Sequence, residues 1–204
     1  MGDWVWDGAR TSVDFVNTLR DRVVGARETL HAPADLADWF VAAALTGDRL
    51  EVTEAELAIA VRLRDAIDAA AGAALAGRPV AAGDVETLNA VAASVSLAPR
   101  LAVDAAGRPY ASTDTSAAAA LARIAIDAID LLTGGELARL RICAADDCGV
   151  RFVDRSPGGN RQWCSMRRCG NRRKARRHYA RRRGTGMMRG ALAASSQGDA
   201  QCDA

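Results

Sequence analysis

Residues 143–169 read CAADDCGVRFVDRSPGGNRQWCSMRRC. Cys143 and Cys148 form one C-x4-C pair, fifteen residues follow, and Cys164 and Cys169 form a second pair of the same spacing. The chain has 204 residues and five cysteines, so four of the five fall in this one stretch. Between the pairs, VRFVD and RQW read as two strands of a small hairpin around the turn RSPGGN, which would bring the pairs to one point. Four thiolates around one ion suit a closed tetrahedral zinc site, and closed sites are structural rather than catalytic. A [2Fe–2S] cluster takes four thiolates as well and is the lesser alternative. A module this small cannot bury a core of its own, so the metal is expected to supply its folding energy. Cys202, far down the chain, is read as incidental.

The metal stretch runs directly into cations. Residues 163–183, WCSMRRCGNRRKARRHYARRR, contain no Asp or Glu. A helix here would carry Arg167, Arg168, Arg172, Arg173, Lys174, Arg176, Arg177 and Arg181, with Arg182 and Arg183 beyond. A solvated charged face is the plain reading of such a run. However, like charges at helical spacing destabilise a helix, and a polyanion is the simplest compensation. Arginine and lysine at this density neutralise many phosphates and make binding strongly salt-dependent. A helix about 10–12 Å across fits the major groove of duplex DNA. Single-strand binders usually add stacking aromatics, and only Trp163 and Tyr179 are available. Double-stranded DNA is therefore the expected partner, with an RNA-binding or ribosome-associated zinc module second and a metal-stabilised protein-interaction module third. His178 reads as a helix-surface or phosphate contact.

Upstream the balance reverses. Residues 1–142 hold 13 Arg against 20 Asp and Glu, a net of −7; residues 143–204 hold 14 Lys and Arg against 5 acids, a net of +9. An acidic body with a basic end points to polyanion binding at that end. The body reads as helices. In TSVDFVNTL, Val13, Val16 and Leu19 share a face, with Thr11 or Ser12 as cap. APADLADWFVAAAL opens on Pro33 and runs to Gly47. TEAELAIAVRLRDAIDAAAGAALAG starts with a capping box, Thr53 and Glu56, and stops at Gly77 and Pro79. AAGDVETLNAVAASV has Asp84 as its cap. LAPRLAVDAAGRPYAST alternates around Gly107 and reads as a β-hairpin. TSAAAALARIAIDAIDLLTGG is a strongly apolar helix with Leu121, Ile124, Ala125, Ala128, Ile129 and Leu132 facing the core, ended by two glycines.

Aromatic residues make up 4% of the chain and alanine is common, which favours helices packed through small residues. The expected divisions are 1–139 for the helical body, 140–184 for the metal module and 185–204 for a disordered tail rich in Gly, Ala, Ser and Gln. Neither a secretory signal nor an apolar run long enough to span a membrane is seen, so a cytoplasmic site with reduced thiols is expected. Asp14 and Asn17, three apart on one helix, are candidates for a small-molecule pocket, with capping or a buried hydrogen bond as the alternative. Trp4, Trp6 and Trp39 would close the core or a homodimer contact. Only His31 and His178 are present, far apart, with no nucleophile motif or phosphate-cradling loop, so an enzyme is not expected.

CAADDCGVRFVDRS, RQWCSMRRCGNRRKARRHYARRR and the literal CGNR at 169–172 resemble the CGNR zinc finger. VDFVNTL at 13–19 and PADLADWF at 33–40 resemble the ABATE-type domain that accompanies it, a bacterial stress-induced transcription-regulator domain. The resemblance implies one structural zinc ion on Cys143, Cys148, Cys164 and Cys169, and DNA binding by the finger. Within CGNRRK, Gly170 would let the backbone turn tightly at the metal. Asn171 would bond backbone beside the site or contact a base, and Arg172 would contact phosphate or clamp the hairpin. The expected fold class is mainly α (α+β): a helical N-terminal domain with a β-hairpin, and a small treble-clef-like four-cysteine finger with a basic helix.

Overall fold

A computed structural model describes residues 4–176. The expectations for Arg177, His178, Tyr179, Arg181, Arg182, Arg183, Cys202 and the 185–204 tail lie outside the described residues. The chain divides at Cys164/Ser165 into two compact units.

The first unit is built on five helices: α1 (Thr11–Val16), α2 (Pro33–Ala42), α3 (Glu54–Leu75), α4 (Ala82–Ala92) and α5 (Ala117–Thr133). Two antiparallel hairpins accompany them, β1 (Arg100–Val103) with β2 (Pro109–Ser112), and β3 (Leu140–Ile142) with β4 (Arg151–Val153). Trp39, Phe15, Phe40, Leu36, Leu63, Ile67, Leu121 and Ile124 form the core between the helices and are almost wholly buried. Alanines 60, 70, 119, 120, 125 and 128 are buried among them, so the helices approach through small side chains. Trp6 stacks on Trp39 at 5.7 Å between ring centroids and remains partly exposed.

Local signals set most boundaries. Thr53 accepts the Glu56 amide and Glu56 accepts the Thr53 amide, the expected capping box. Gly77, in the left-handed region at φ +62, lets the chain leave α3. Gly107 (φ +74) turns the β1–β2 hairpin, while Leu101, Val103 and Tyr110 stay exposed on it.

Three expectations are corrected. First, α2 stops at Ala42, five residues before Gly47. Ala44 turns left-handed (φ 55) and the Leu45 amide bonds back to Phe40, laying Leu45 on the core. Packing of Leu45 overrides the helix propensity of the alanine run. Second, neither Thr11 nor Ser12 caps α1. Arg10 occupies the cap position, and the acceptor comes from another helix: Asp127 of α5 takes the Ser12 amide at 2.8 Å and the Ser12 hydroxyl. Third, Asp84 lies inside the first turn of α4, whose cap position is Ala81. In α5, Ile129 and Leu132 are half-buried against the core as expected, and Leu131 is buried in a second cluster with Val13, Ala71, Leu140 and Val153.

Asp14 accepts the Gly8 amide at 2.7 Å, but burial dominates and, with Asp7 and Asp127 nearby, raises its pKa to about 6. An acid whose folded pKa is raised costs stability once pH exceeds its unfolded value of 3.8, and the cost levels off above about 6. Asp14→Asn is therefore expected to raise stability at pH 7.5 by about 2 kcal/mol, taking 1.36 kcal/mol per unit and discounting for partial exposure. Urea melts of both chains should coincide near pH 4 and separate as pH rises to 6.

Candidate metal centre

The β3–β4 pair is not the hairpin expected from sequence. VRFVD pairs backward with Leu140–Ile142, in the register Leu140↔Val153 and Ile142↔Arg151, and residues 161–163 form no strand. The first cysteine pair therefore sits in the turn of the hairpin, and the PGGN loop follows it. The Cys143 amide bonds to the Val150 carbonyl at 2.9 Å, and the Cys148 amide to the Ala145 carbonyl at 3.2 Å. Gly149 closes this turn at φ +72, where a side chain would be strained.

Three contacts carry Cys164 to the same place. The Ala144 amide donates to the Gln162 carbonyl at 2.8 Å. Asp154, fully buried, accepts the Ser156 amide at 2.9 Å and the Arg161 amide at 2.8 Å, pinning both ends of the PGGN loop. Bonds from Ser156 and from the Arg161 amide hold the Asp154 carboxyl below its usual range. Arg161 then lies 4.6 Å over the Phe152 ring and donates to the carbonyls of Trp163 and Cys164.

In the second unit, the Ser165 hydroxyl accepts the Arg168 amide, and the Ser165 carbonyl accepts the amides of Cys169 and Gly170. The result is a wide turn over Met166–Gly170, continuing as helix over 171–176. The helix thus begins after Cys164 rather than at Trp163. Gly170 keeps a negative φ; its lack of a side chain makes room for the Met166 thioether, since a Cβ there would lie 2.7 Å from that sulfur. Arg172 reaches the Cys169 sulfur at 3.7 Å.

The ligand sulfurs of Cys143, Cys148, Cys164 and Cys169 all lie within 4.8 Å of one another, and all four residues are buried. Cys148 and Cys164 are 3.7 Å apart between sulfurs. A tetrahedron with Zn–S bonds of about 2.3 Å has edges near 3.8 Å, whereas a disulfide needs about 2.05 Å. The donor set fits one structural zinc ion. Hydrogen bonds from Cys148 and Cys164 pull the Cys143 thiol well below its ordinary range, and the bonds to Cys143 and Cys148, with burial, push Cys164 well above it. A bound dication would supply the charge that holds all four thiolates ionised.

The family model described as "Putative stress-induced transcription regulator" (ABATE) matches residues 9–135, well over half the chain. The chain belongs to the ABATE family. The CGNR zinc finger model matches residues 139–182. No curated protein matches the chain.

The ABATE match covers α1 through α5, and the CGNR match takes in the β3–β4 hairpin and all four cysteines. In the finger, Arg167, Arg172, Lys174 and Arg176 are exposed, and Arg168 and Arg173 are half-buried. In the ABATE part, Asp14 and Asn17 are committed to backbone. Asp14 holds Gly8, and the Asn17 amide donates to the Arg151 carbonyl at 2.9 Å and accepts the Arg151 amide at 2.8 Å. The structure gives Asn17 the buried hydrogen bonds that were the alternative reading. A cavity of about 330 Å³ opens elsewhere, between α3, α4 and α5, lined by Ile59, Arg62, Thr87, Val91, Ser94 and Leu121 among others. Among the described residues, no helix is long and apolar enough to cross a membrane.

Sequence reasoning missed three supports of the centre, Asp68, Arg151 and Arg161, and named Asn17 only as a pocket candidate or a buried hydrogen bond. Asp154 had a signal, an Asp two residues before Ser156 in a turn-rich run, which is the pattern of an Asp side chain bonding its own loop.

Proposed function

We propose that the chain is a DNA-binding transcription regulator rather than an enzyme. Its finger would present the basic helix to duplex DNA, and its ABATE body would receive a signal or pair with a second copy. One observation supports this most: Cys169 is followed at once by the cations of the helix, and no acid stands between Asp154 and Asp199. The descriptions of the two matched families, a stress-induced transcription regulator and a zinc finger, point the same way. On this reading most cations bind phosphate and fewer read base edges.

Selection of fragmented genomic duplex DNA on zinc-loaded protein at about 150 mM salt tests it, at physiological screening. Enrichment of a short motif is the expected result, and a palindromic motif would add a dimer. Uniform retention, or none, would favour structured RNA. The double substitution Arg167→Gln/Lys174→Gln should lower the slope of log affinity against log salt by about 1.8, at about 0.9 per phosphate contact. An unchanged slope would remove these two residues from the interface.

A further inference from the structure

The finger's hairpin is held by the helical body through one continuous set of contacts. The amides of residues 151 and 153 point away from β3. The first is taken by Asn17 at the end of α1 and the second by the Gly8 carbonyl at 3.0 Å. Asn17, 3% exposed, completes its pairing by donating to the Arg151 carbonyl, so its side chain acts as a further strand on β4. The Arg151 guanidinium then spans two elements. It makes a bidentate pair with Asp68 of α3, at 2.7 and 3.0 Å, and donates to the Gly149 carbonyl at 2.6 Å. Gly149 is the left-handed residue directly after Cys148. Its open face lies against Val23 and Arg22, and Arg22 pairs with the same Asp68 carboxylate at 3.1 Å. Beneath these contacts, Leu140 and Val153 of the hairpin pack with Val13, Ala71 and Leu131 of the body.

We propose that the helical body sets the zinc affinity of the finger, with Asn17 and Asp68 as positioning residues that hold the Cys143–Cys148 turn in its metal-ready shape. Without them, Arg151 loses its orientation and the Gly149 carbonyl its donor, so the turn must be ordered by the ion itself. The ion then binds more weakly. Reciprocity follows: zinc bound at the turn stabilises the body, and any event that shifts α1 or α3 changes metal occupancy. The inference does not depend on which nucleic acid the basic helix takes.

The test is zinc affinity of the full chain, measured by competition with a chromophoric chelator, for Asn17→Ala and Asp68→Asn. The Asp68 side chain is 21% exposed, against 3% for Asn17, so that variant is the gentler of the two. A loss of about tenfold is expected, the lower end of what removal of an outer support costs a metal site. Leu88→Ala, in the α4 core away from the hairpin, is the control. It should lower the melting temperature while leaving zinc affinity unchanged. The rise in melting temperature on adding zinc should shrink in Asn17→Ala and Asp68→Asn. Unchanged zinc affinity in both variants would overturn the proposal. So would an equal loss in Leu88→Ala, because the effect would then follow global stability alone.

Discussion

Cys143→Ser is expected to bind zinc at least a hundredfold more weakly than the parent chain and to melt at the temperature the parent shows in chelator. A serine hydroxyl stays protonated at neutral pH and supplies no anionic ligand, so the site keeps three thiolates. Structural zinc contributes on the order of 10–16 kcal/mol in isolated fingers, and one ligand of four is a large part of that. The consequence extends beyond the site because β3 and β4 are only three residues each. A hairpin this short is marginal without support. It keeps Leu140 and Val153 against the body, so part of its order should survive and the body should melt lower rather than unfold outright. Chelator competition gives the affinity, and melting followed in the far ultraviolet with and without EDTA gives the coupling. The parent should lose several degrees in EDTA and the variant none. Full zinc affinity in Cys143→Ser would remove this residue from the ligand set. Cys202→Ser should leave zinc affinity unchanged.

The two cysteine pairs, the capping box at Thr53 and Glu56, and the apolar face of α5 were legible because each rests on chemistry within a few residues. The hairpin partner was not. VRFVD is compatible with a strand on either side, and what favours Leu140–Ile142 is packing: Leu140 and Val153 are both buried against Val13, Ala71 and Leu131. The cap of α1 was misread for a related reason. Ser12 carries the right side chain, but Asp127, more than a hundred residues away, takes its amide. Long-range partners of this kind leave no local period or spacing. Asn17 shows the same limit from the other side: its spacing from Asp14 was legible, yet its role depends on a strand that the linear chain places far away. The basic helix was legible as composition, and its start at the Ser165 turn depended on a cap just outside the run of cations.

Glu28→Ala is expected to cost about 3–5 kcal/mol, because it leaves a buried charge without its main partner. Arg64 sits in the middle of α3 with its side chain 2% exposed. Its Nη1 donates to Glu28 at 2.7 Å, and its Nε to Asp65, a more exposed carboxylate, at 3.0 Å. The Glu28 carboxylate also accepts the amides of Thr29 and Leu30, so it fixes the turn that leads into α2 and seats Leu30 in the core. Burial pushes the Glu28 pKa up, but the bond from Arg64, with those two amides, outweighs it and holds the value below the ordinary 4.5. An acid whose folded pKa is lowered contributes stability above its unfolded pKa and loses it as pH falls through the folded one. The parent should therefore lose this contribution on acidification below about pH 4.5, whereas Glu28→Gln, which keeps the shape without the charge, should lose less there and sit about 2 kcal/mol lower at pH 7. A double variant, Glu28→Gln/Arg64→Met, separates the pair from the packing. If the single-variant loss comes from the stranded guanidinium, the double variant recovers much of it, since apolar replacement of a buried pair is often neutral. If it recovers nothing, the loss lies in the turn at Thr29 and Leu30 instead. Urea melts at pH 7 and pH 3.5 on the four chains of this cycle distinguish the two.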